Sequence, residues 1–210
     1  MNVLAIGAHY DDIEIGAGGT ISKHIKNGDN VTFVVVTDSS YSNHDGTKYR
    51  TKKQARQEGE AAAEILGVRS FLHLNHKTKK VEYGVELIEE LNAIIDELNI
   101  DTIYTHWIDD IHHDHSVIAK ATLTAARHVP RVLMYRSNWY HAPTQFKDNF
   151  YSDISKYIDR KISSLKAHIT EYDRRGPQWI EFVLHQNKNC GITMGVDYAE
   201  SFEIIKWLEK

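Results

Sequence analysis

Short apolar runs alternate with amphipathic stretches along the first two thirds of the chain. The runs Val3–Ile6, Val31–Thr37, Phe71–Leu74, Asp101–Thr105 and Arg131–Tyr135 have the length and composition of buried strands. The second run, VTFVVVT, is continuous and rich in β-branched residues, which is typical of a parallel strand covered on both faces.

Helical spacing of apolar residues separates these runs. The pattern predicts helices over Thr20–Asn27, Thr51–Leu66, Val85–Leu98 and Ser116–Arg127. Strands that alternate with helices of this length imply right-handed crossovers between parallel strands. We therefore predict an α/β fold with a mostly parallel sheet.

The pattern changes after Arg136. An aromatic and polar stretch without a clear period is followed by Ile158–Tyr172, which predicts one long helix. The sequence pattern of the remaining residues, to Trp207, does not distinguish a helix from a strand. Because the chain holds no repeat, low-complexity tract or linker, we expect residues 1–210 to form a single domain with this part as a packed extension.

Composition narrows the class of protein. Hydrophobic residues make up 41% and charged residues 26% of the 210 residues, as in ordinary globular chains. A net charge of −4 excludes the basic footprint of a dedicated nucleic-acid binder. The start of the chain does not resemble a signal peptide, and no apolar run is long enough to span a membrane. These features lead us to expect a cytoplasmic protein.

Two polar clusters follow predicted strands, and they account for several of the 13 histidines. The first is His9-Tyr10-Asp11-Asp12, and the second is His112-His113-Asp114-His115. Ligands of parallel sheets bind beyond the carboxyl ends of the strands, so both clusters are expected at one edge. Either cluster alone would also suit a helix N-terminus or a solvated loop, but two at one edge favour a site.

The residue types at this edge suit metal-assisted hydrolysis. A catalytic zinc takes three protein ligands and leaves a position for water, and His9, Asp12 and His115 offer such a set. Asp11 would then act as the general base. His112 would supply a proton or a hydrogen bond to a developing oxyanion, and Asp114 would orient its ring.

The glycines that follow the first cluster admit two interpretations. Gly16, Gly18 and Gly19 lack the spacing of a dinucleotide-binding fingerprint, so a nucleotide cofactor is disfavoured. We expect them instead to let a helix approach the sheet closely.

The motifs resemble those of a known family. Residues 9–20, HYDDIEIGAGGT, resemble the H-P-D-D-x-E-x-G-x-G-G opening of the PIG-L/LmbE-like zinc deacetylases, and His112–His115 is similar to their H-x-D-H motif. Weaker similarities follow in the same order, at Arg56–Glu58 with Leu66–Val68, at Ser152–Ser155 with Lys161 and His168, and at Tyr198–Phe202. The resemblance therefore covers most of the chain.

This resemblance implies a Rossmann-like three-layer sandwich and hydrolysis of an N-acetyl group from an amino sugar. It implies zinc bound by His9, Asp12 and His115, although Fe²⁺ or another divalent metal suits the same donors. It also implies Asp11 as base, His112 at the oxyanion or leaving group, and Asp114 as its orienting partner. A homo-oligomer is implied by the resemblance alone.

Two positions bear on the substrate. Arg56 matches a family helix whose arginine reaches the substrate, although a solvated helix face is an equal interpretation. Tyr10 stands where the family usually has proline, and this departure leaves the shape of the substrate entrance open. The alternatives to an amino sugar are a non-sugar N-acyl substrate, such as an antibiotic precursor, and a non-catalytic sugar-binding module.

Overall fold

A computed structural model describes residues 1–42 and 45–209 of the chain. The strands are β1 (Asn2–Gly7), β2 (Asn30–Thr37), β3 (Tyr41–Ser42), β4 (Lys48–Arg50), β5 (Ser70–His76), β6 (Thr102–His106), β7 (Arg131–Tyr135), β8 (Phe150–Asp153) and β9 (Ala199–Trp207). The helices are α1 (Asp12–Lys26), α2 (Lys52–Leu66), α3 (Val85–Glu97), α4 (His113–Ala125), α5 (Ile158–Lys166), α6 (Ile169–Arg175) and α7 (Gln178–Met194).

The main sheet has seven strands in the order β5-β2-β1-β6-β7-β9-β8. Strand β1 pairs in parallel with β2 on one side, where Val3 faces Val31, and with β6 on the other, where Val3 faces Thr102. Only β9 runs antiparallel to its neighbours β7 and β8 within the described part of the sheet. The strand order reverses between β1 and β6, which creates the crevice where open α/β sheets bind ligands.

Helices cover both faces of this sheet. Leu4 and Ile6 of β1 point into a core that α3 and α4 close with Leu87, Leu91 and Ile118. The alternate residues of β1 point into an opposite core, which α1 and α2 close with Ile13, Ile21 and Leu66. The predicted three-layer sandwich with a mostly parallel sheet is therefore confirmed.

Two helices begin earlier than their apolar pattern predicts. Helix α1 begins at Asp12 instead of Thr20, and α4 begins at His113 instead of Ser116. Glycines weaken the helical signal within α1, but the tertiary fold requires one of them there. A Cβ atom on Gly16 would lie 2.1 Å from the Tyr135 ring, so the helix can approach β7 only with glycine at this position.

The C-terminal third differs most from the sequence pattern. The single long helix predicted over Ile158–Tyr172 is wrong, because His168 leaves the helical conformation and separates α5 from α6. The His168 side chain is fully buried, with its Nε2 atom 3.6 Å from Glu14 Oε1 of α1. The ambiguous tail forms α7 and β9, and β9 joins the main sheet beside β7.

No helix in the described residues is both long enough and apolar enough to cross a membrane.

Candidate active site

The two polar clusters meet at the carboxyl edge of the main sheet. His9 and Asp11 lie in the loop after β1, and Asp12 is the first residue of α1. His112 directly precedes α4, and His115 lies in the first turn of this helix. Because β1 and β6 are neighbours at the point where the strand order reverses, the two helix N-termini face one crevice.

The side chains of His9, Asp12 and His115 lie close together. The Nδ1 atom of His9 lies 3.2 Å from Asp12 Oδ2 and 3.4 Å from His115 Nε2. The His115 Nε2 atom lies 3.3 Å from Asp12 Oδ1. Four ligands at zinc bond lengths of about 2.1 Å are spaced by about 3.4 Å, and these separations are of that size, although the nitrogens of His9 and His115 approach different oxygens of Asp12. His9, Asp12 and His115 are here termed the ligand triad. Two groups in the described residues bring single donor atoms close enough to hold one cation, and each shares members with the triad: His9, His112 and His115, and Asp12, His106 and His115.

Carboxylates hold the outer nitrogen of both triad histidines. His9 Nε2 lies 3.2 Å from Asp114 Oδ2, and His115 Nδ1 lies 3.0 Å from Asp110 Oδ2. We term Asp110 and Asp114 the outer carboxylates. Each outer carboxylate therefore orients one histidine ring so that its second nitrogen faces the triad centre, as in protein metal sites.

The structure therefore gives Asp114 a different neighbour from the one predicted. Its Oδ2 atom is hydrogen-bonded to His9 and accepts from the backbone N–H of Lys79 at 2.8 Å, whereas no hydrogen bond joins it to His112 in the described structure. His112 precedes α4 with an extended backbone, whereas Asp114 lies in the first turn of the helix, so closeness in sequence does not pair the two side chains.

Two site residues were missed by the sequence reasoning. His106, the last residue of β6, is completely buried, with its Nε2 atom 3.2 Å from Asp12 Oδ2. Asp110 accepts from Asn138 Nδ2 at 2.7 Å while it holds His115. The available signals were a histidine at the end of an apolar strand and an aspartate five residues before a triad histidine.

Charge interactions at the site are strong. Burial lowers the pKa of His9, but hydrogen bonds with Asp114 and Asp12 outweigh it and raise the pKa to about 10. In the same way Asp12 and Asp110 outweigh burial and raise the pKa of His115 to about 9. The buried carboxylates thus create a potential that favours positive charge at the triad.

The pKa of His112 is shifted in the opposite direction. Burial, together with the charges of His115 and His9, lowers the pKa of His112 to about 4. Its ring stacks on that of His115 at a centroid distance of 4.3 Å. His112 is therefore a neutral imidazole at physiological pH, with one N–H group available as a donor.

A cavity of about 250 Å³ opens over the triad. Asp11 and His112 line it on the triad side, and Asp11 is only 5% exposed. Arg174 and Arg175 of α6 also line the cavity. The cavity is large enough for an acetamido group and part of the molecule that carries it.

Arg56 and Tyr10 lie outside this lining. The guanidinium of Arg56 donates to Glu60 at 2.8 Å on the exposed face of α2. Tyr10 is 2% exposed, and its hydroxyl lies 3.0 Å from His73 Nδ1. Tyr10 thus fills space against Gly59 of α2 and does not line the cavity.

Known proteins resemble this chain in sequence and in fold. Residues 4–126, more than half of the chain, match the family described as GlcNAc-PI de-N-acetylase (PIG-L). The protein belongs to the PIG-L family. An uncharacterized deacetylase of Escherichia coli, YaiS, is 31% identical over 79% of this chain and 89% of its own.

Two further relatives carry more specific names. The diacetylchitobiose deacetylase of Thermococcus kodakarensis is 25% identical over 81% of this chain and 70% of its own. The structure of the N,N'-diacetylchitobiose deacetylase from Pyrococcus horikoshii superimposes with a TM-score of 0.85 at 23% identity, over 97% of this chain and 83% of that one. This PIG-L protein therefore shares the fold of a solved deacetylase across almost its whole length.

Proposed function

We propose that this PIG-L family protein is a metal-dependent hydrolase that removes the N-acetyl group from an amino sugar or amino-sugar conjugate. The observation that carries the proposal is the ligand triad with an outer carboxylate on each histidine, placed beside Asp11 and His112 under one cavity. A structural cluster of histidines would not require an adjacent cavity with a carboxylate free to act as a base.

The donor set indicates which cation would bind. His9, Asp12 and His115 would hold it, and Zn²⁺ is the first expectation because two imidazoles and a carboxylate are common zinc ligands. Fe²⁺ or another divalent metal suits the same donors. When bound, the cation would supply Lewis-acid activation of water and of the amide carbonyl.

Asp11 and His112 then have separate roles in the reaction. Asp11 accepts a proton from the attacking water, whose oxygen bonds to the acetamide carbon. His112, as a neutral donor, stabilises the negative charge that develops on the carbonyl oxygen. The proton passes to the leaving nitrogen as the C–N bond breaks, and the products are acetate and the free amine.

The substrate class is proposed from the relatives. The named deacetylase of Thermococcus kodakarensis acts, by its name, on an acetylated amino sugar, and its sequence aligns with 81% of this chain. The cavity lining includes Tyr41 and Tyr140, which are suited to stack on sugar rings. An N-acetylated sugar is therefore the proposed substrate.

The test is acetate release from a panel of N-acetylated sugars and sugar nucleotides, with metal-loaded protein and with protein treated with a chelator. Release that the chelator abolishes and added metal restores is the expected result. Release that persists in fully chelated protein would refute the metal dependence. Absence of release from every sugar, with metal bound at full occupancy, would refute the amino-sugar substrate.

A further inference from the structure

A third strand end contributes side chains to the site. The His115 ring lies between two carboxylates, with Nε2 3.3 Å from Asp12 Oδ1 and Nδ1 3.0 Å from Asp110 Oδ2. Two consecutive residues of the loop after β7 bind these carboxylates, Ser137 at Asp12 and Asn138 at Asp110. We term Ser137 and Asn138 the β7 pair. The loop after β7 therefore contacts the groups on both sides of one triad histidine.

The buried carboxylate of Asp12 is held at both of its oxygen atoms. Oδ2 accepts a hydrogen bond from the backbone N–H of His9 at 2.7 Å, and Oδ1 accepts one from the Ser137 hydroxyl at 3.0 Å. An ionised carboxylate oxygen can accept more than one bond, so both oxygens keep a lone pair for a cation. Without the Ser137 hydroxyl the carboxylate would be anchored to the backbone at Oδ2 only, and its terminal torsion is soft.

His106 supports Ser137 from the interior of the sheet. The backbone N–H of Ala8 donates to His106 Nε2 at 2.8 Å. Because a backbone N–H can only donate, this nitrogen is an acceptor, and the proton of the neutral ring lies on Nδ1, 3.4 Å from Ser137 Oγ. The lone pair of His106 Nε2 is thus already used, which makes His106 a support for Ser137 and not a ligand.

The amide of Asn138 is fixed at both ends. Its Nδ2 atom lies 2.9 Å from Asp110 Oδ1 and 2.7 Å from Asp110 Oδ2. Its Oδ1 atom accepts from the backbone N–H of Tyr140 at 3.1 Å, so the NH₂ end is the one that faces Asp110. Asp110 Oδ1 also accepts from the backbone N–H of His112 at 2.8 Å. These bonds keep Asp110 Oδ2 directed at His115.

We infer that Ser137 and Asn138 are positioning residues of the metal site, with Ser137 acting through Asp12 and Asn138 through Asp110. The inference rests on the proposed function and adds to it the residues that hold the site in shape. Groups that hydrogen-bond to metal ligands change metal affinity or activity by about 10- to 100-fold when they are removed. Both residues line the cavity, but the hydrogen bonds described above direct their polar atoms to carboxylates.

The first measurement is competition for Zn²⁺ with a chromogenic chelator, which requires no substrate. Ser137→Ala and Asn138→Ala are each expected to weaken Zn²⁺ binding by about 10- to 100-fold. Ser137→Thr keeps a hydroxyl on the same carbon, and it is expected to bind Zn²⁺ more tightly than Ser137→Ala. Wild-type affinity in both alanine variants would overturn the inference.

The matched controls remove buried hydrogen bonds outside the site. The Ser164 hydroxyl donates to the backbone carbonyl of Lys161 at 2.8 Å, and Asn187 Nδ2 donates to that of Ala199 at 3.1 Å. Ser164→Ala and Asn187→Ala should therefore lower the free energy of unfolding while Zn²⁺ affinity stays at the wild-type value. An equal loss of affinity in these controls would overturn the inference, because destabilisation alone would then account for it.

A double-mutant cycle tests the route through Asp110. Asn138→Ala and Asp110→Asn act on the same carboxylate, so their effects on Zn²⁺ affinity should not add. In protein that already carries Asp110→Asn, the further change Asn138→Ala is expected to weaken binding by less than about twofold. Full additivity of the two effects would overturn the assignment of Asn138.

Cobalt binding and kinetics separate positioning from substrate contact. The visible absorption spectrum of bound Co²⁺ reports the geometry of its ligands, so Ser137→Ala should change the spectrum and Ser164→Ala should not. With metal at saturation, kcat of Ser137→Ala is expected to fall about tenfold or more while KM for the N-acetylated sugar is unchanged. A change in KM alone, with the Co²⁺ spectrum and Zn²⁺ affinity of wild type, would mean that Ser137 binds substrate and would overturn the inference.

These measurements also distinguish the inference from the proposed function. Wild-type protein that binds Zn²⁺ but releases acetate from no sugar would refute the proposed deacetylation, and the affinities and Co²⁺ spectra would still decide the role of the β7 pair. Wild-type protein that binds neither ion would overturn both.

Discussion

The side chains of Lys161 and Glu200 form an ion pair, with 2.6 Å between Nζ and Oε1, and neither is accessible to solvent. Glu200 also accepts from two consecutive backbone N–H groups within α1, and Lys161 donates to the carbonyl of Ile15 at 2.7 Å. The pair therefore joins α5 and β9 to the helix whose first residue is Asp12.

Removal of Lys161 is expected to destabilise the fold strongly. Lys161→Met would leave the Glu200 carboxylate buried without a cation, which lowers the free energy of unfolding by about 3–5 kcal/mol. The control is Lys166→Met on the same helix, where the side chain is exposed and the expected change is within about 0.5 kcal/mol. Urea unfolding of both variants measures the difference, and equal midpoints would contradict the prediction.

The carboxylate of Asp110 is expected to raise the affinity of the site for Zn²⁺. Asp110→Asn removes the carboxylate that orients His115, so the affinity for Zn²⁺ falls by about 10- to 100-fold. Competition with a chromogenic chelator measures this change. Asp109→Asn is the matched control because its exposed carboxylate contacts Thr144, not the triad. An Asp110→Asn protein with wild-type zinc affinity would show that this carboxylate does not support a metal ligand.

Substitutions of Asp11 and of His9 are expected to have different effects on metal binding and on turnover. Asp11→Asn should retain bound metal while kcat falls by about 100- to 10,000-fold, because a general base contributes a factor of this size. His9→Ala should lose the metal, since it removes one of three ligands. Metal content by atomic emission, measured beside acetate release, separates the two. Full metal occupancy in His9→Ala would refute the assignment of His9 as a ligand. Full activity in Asp11→Asn would refute the assignment of Asp11 as the base.

Tyr10 is expected to stabilise the fold without contributing to the site. Tyr10→Phe removes the hydroxyl that bonds His73, so the free energy of unfolding falls by about 0.5–1.5 kcal/mol. Acetate release should stay within about twofold of wild type, because the ring packs on Gly59 outside the cavity lining. A large change in KM would mean that position 10 shapes the substrate entrance after all.

Asp38 is expected to contribute to acid sensitivity. Burial opposes its ionisation, but the ammonium of Lys52 at 2.8 Å and bonds from Ser40 and Thr78 lower its pKa to about 2. Since the unfolded value is about 3.9, the stabilisation is complete above about pH 4 and is lost as the pH falls through about 2.

The same carboxylate gives a measurable difference between variants. Above about pH 4, Asp38→Asn should unfold with a free energy lower by about 1 kcal/mol than wild type, after allowance for solvent screening. The difference should narrow as the pH falls toward about 2. Urea unfolding across this range tests it, and a difference that is independent of pH would show that ionisation of Asp38 does not matter.

The fold and the place of the site could be predicted from local patterns. Val31–Thr37 is continuous and β-branched, and Val85–Leu98 has one apolar face, so each carries its own structural signal. His9 and Asp12 follow the end of β1, His115 lies in the helix that follows β6, and sheet topology brings these two strand ends together. The sequence therefore predicts that the three residues of the ligand triad lie close together.

Other parts of the site depended on contacts between distant residues. Asp114 was paired with His112 because the two are neighbours in sequence, yet its carboxylate meets His9, 105 positions away. Arg174 and Lys79 had no signal in the sequence, because nothing local distinguishes a cation that lines a cavity from one on a solvated helix face.

The sequence by itself determined the alternation of strands and helices, and hence the parallel sheet and the edge where the polar clusters lie. Only the tertiary structure decided that α1 and α4 begin at Asp12 and His113, that His168 divides the last predicted helix, and that Lys161 meets Glu200. The physical reason is the distance along the chain over which each kind of interaction acts. Periodicity and propensity act within a few residues, whereas close packing at Gly16 and the pairing of buried charges depend on residues far apart along the chain.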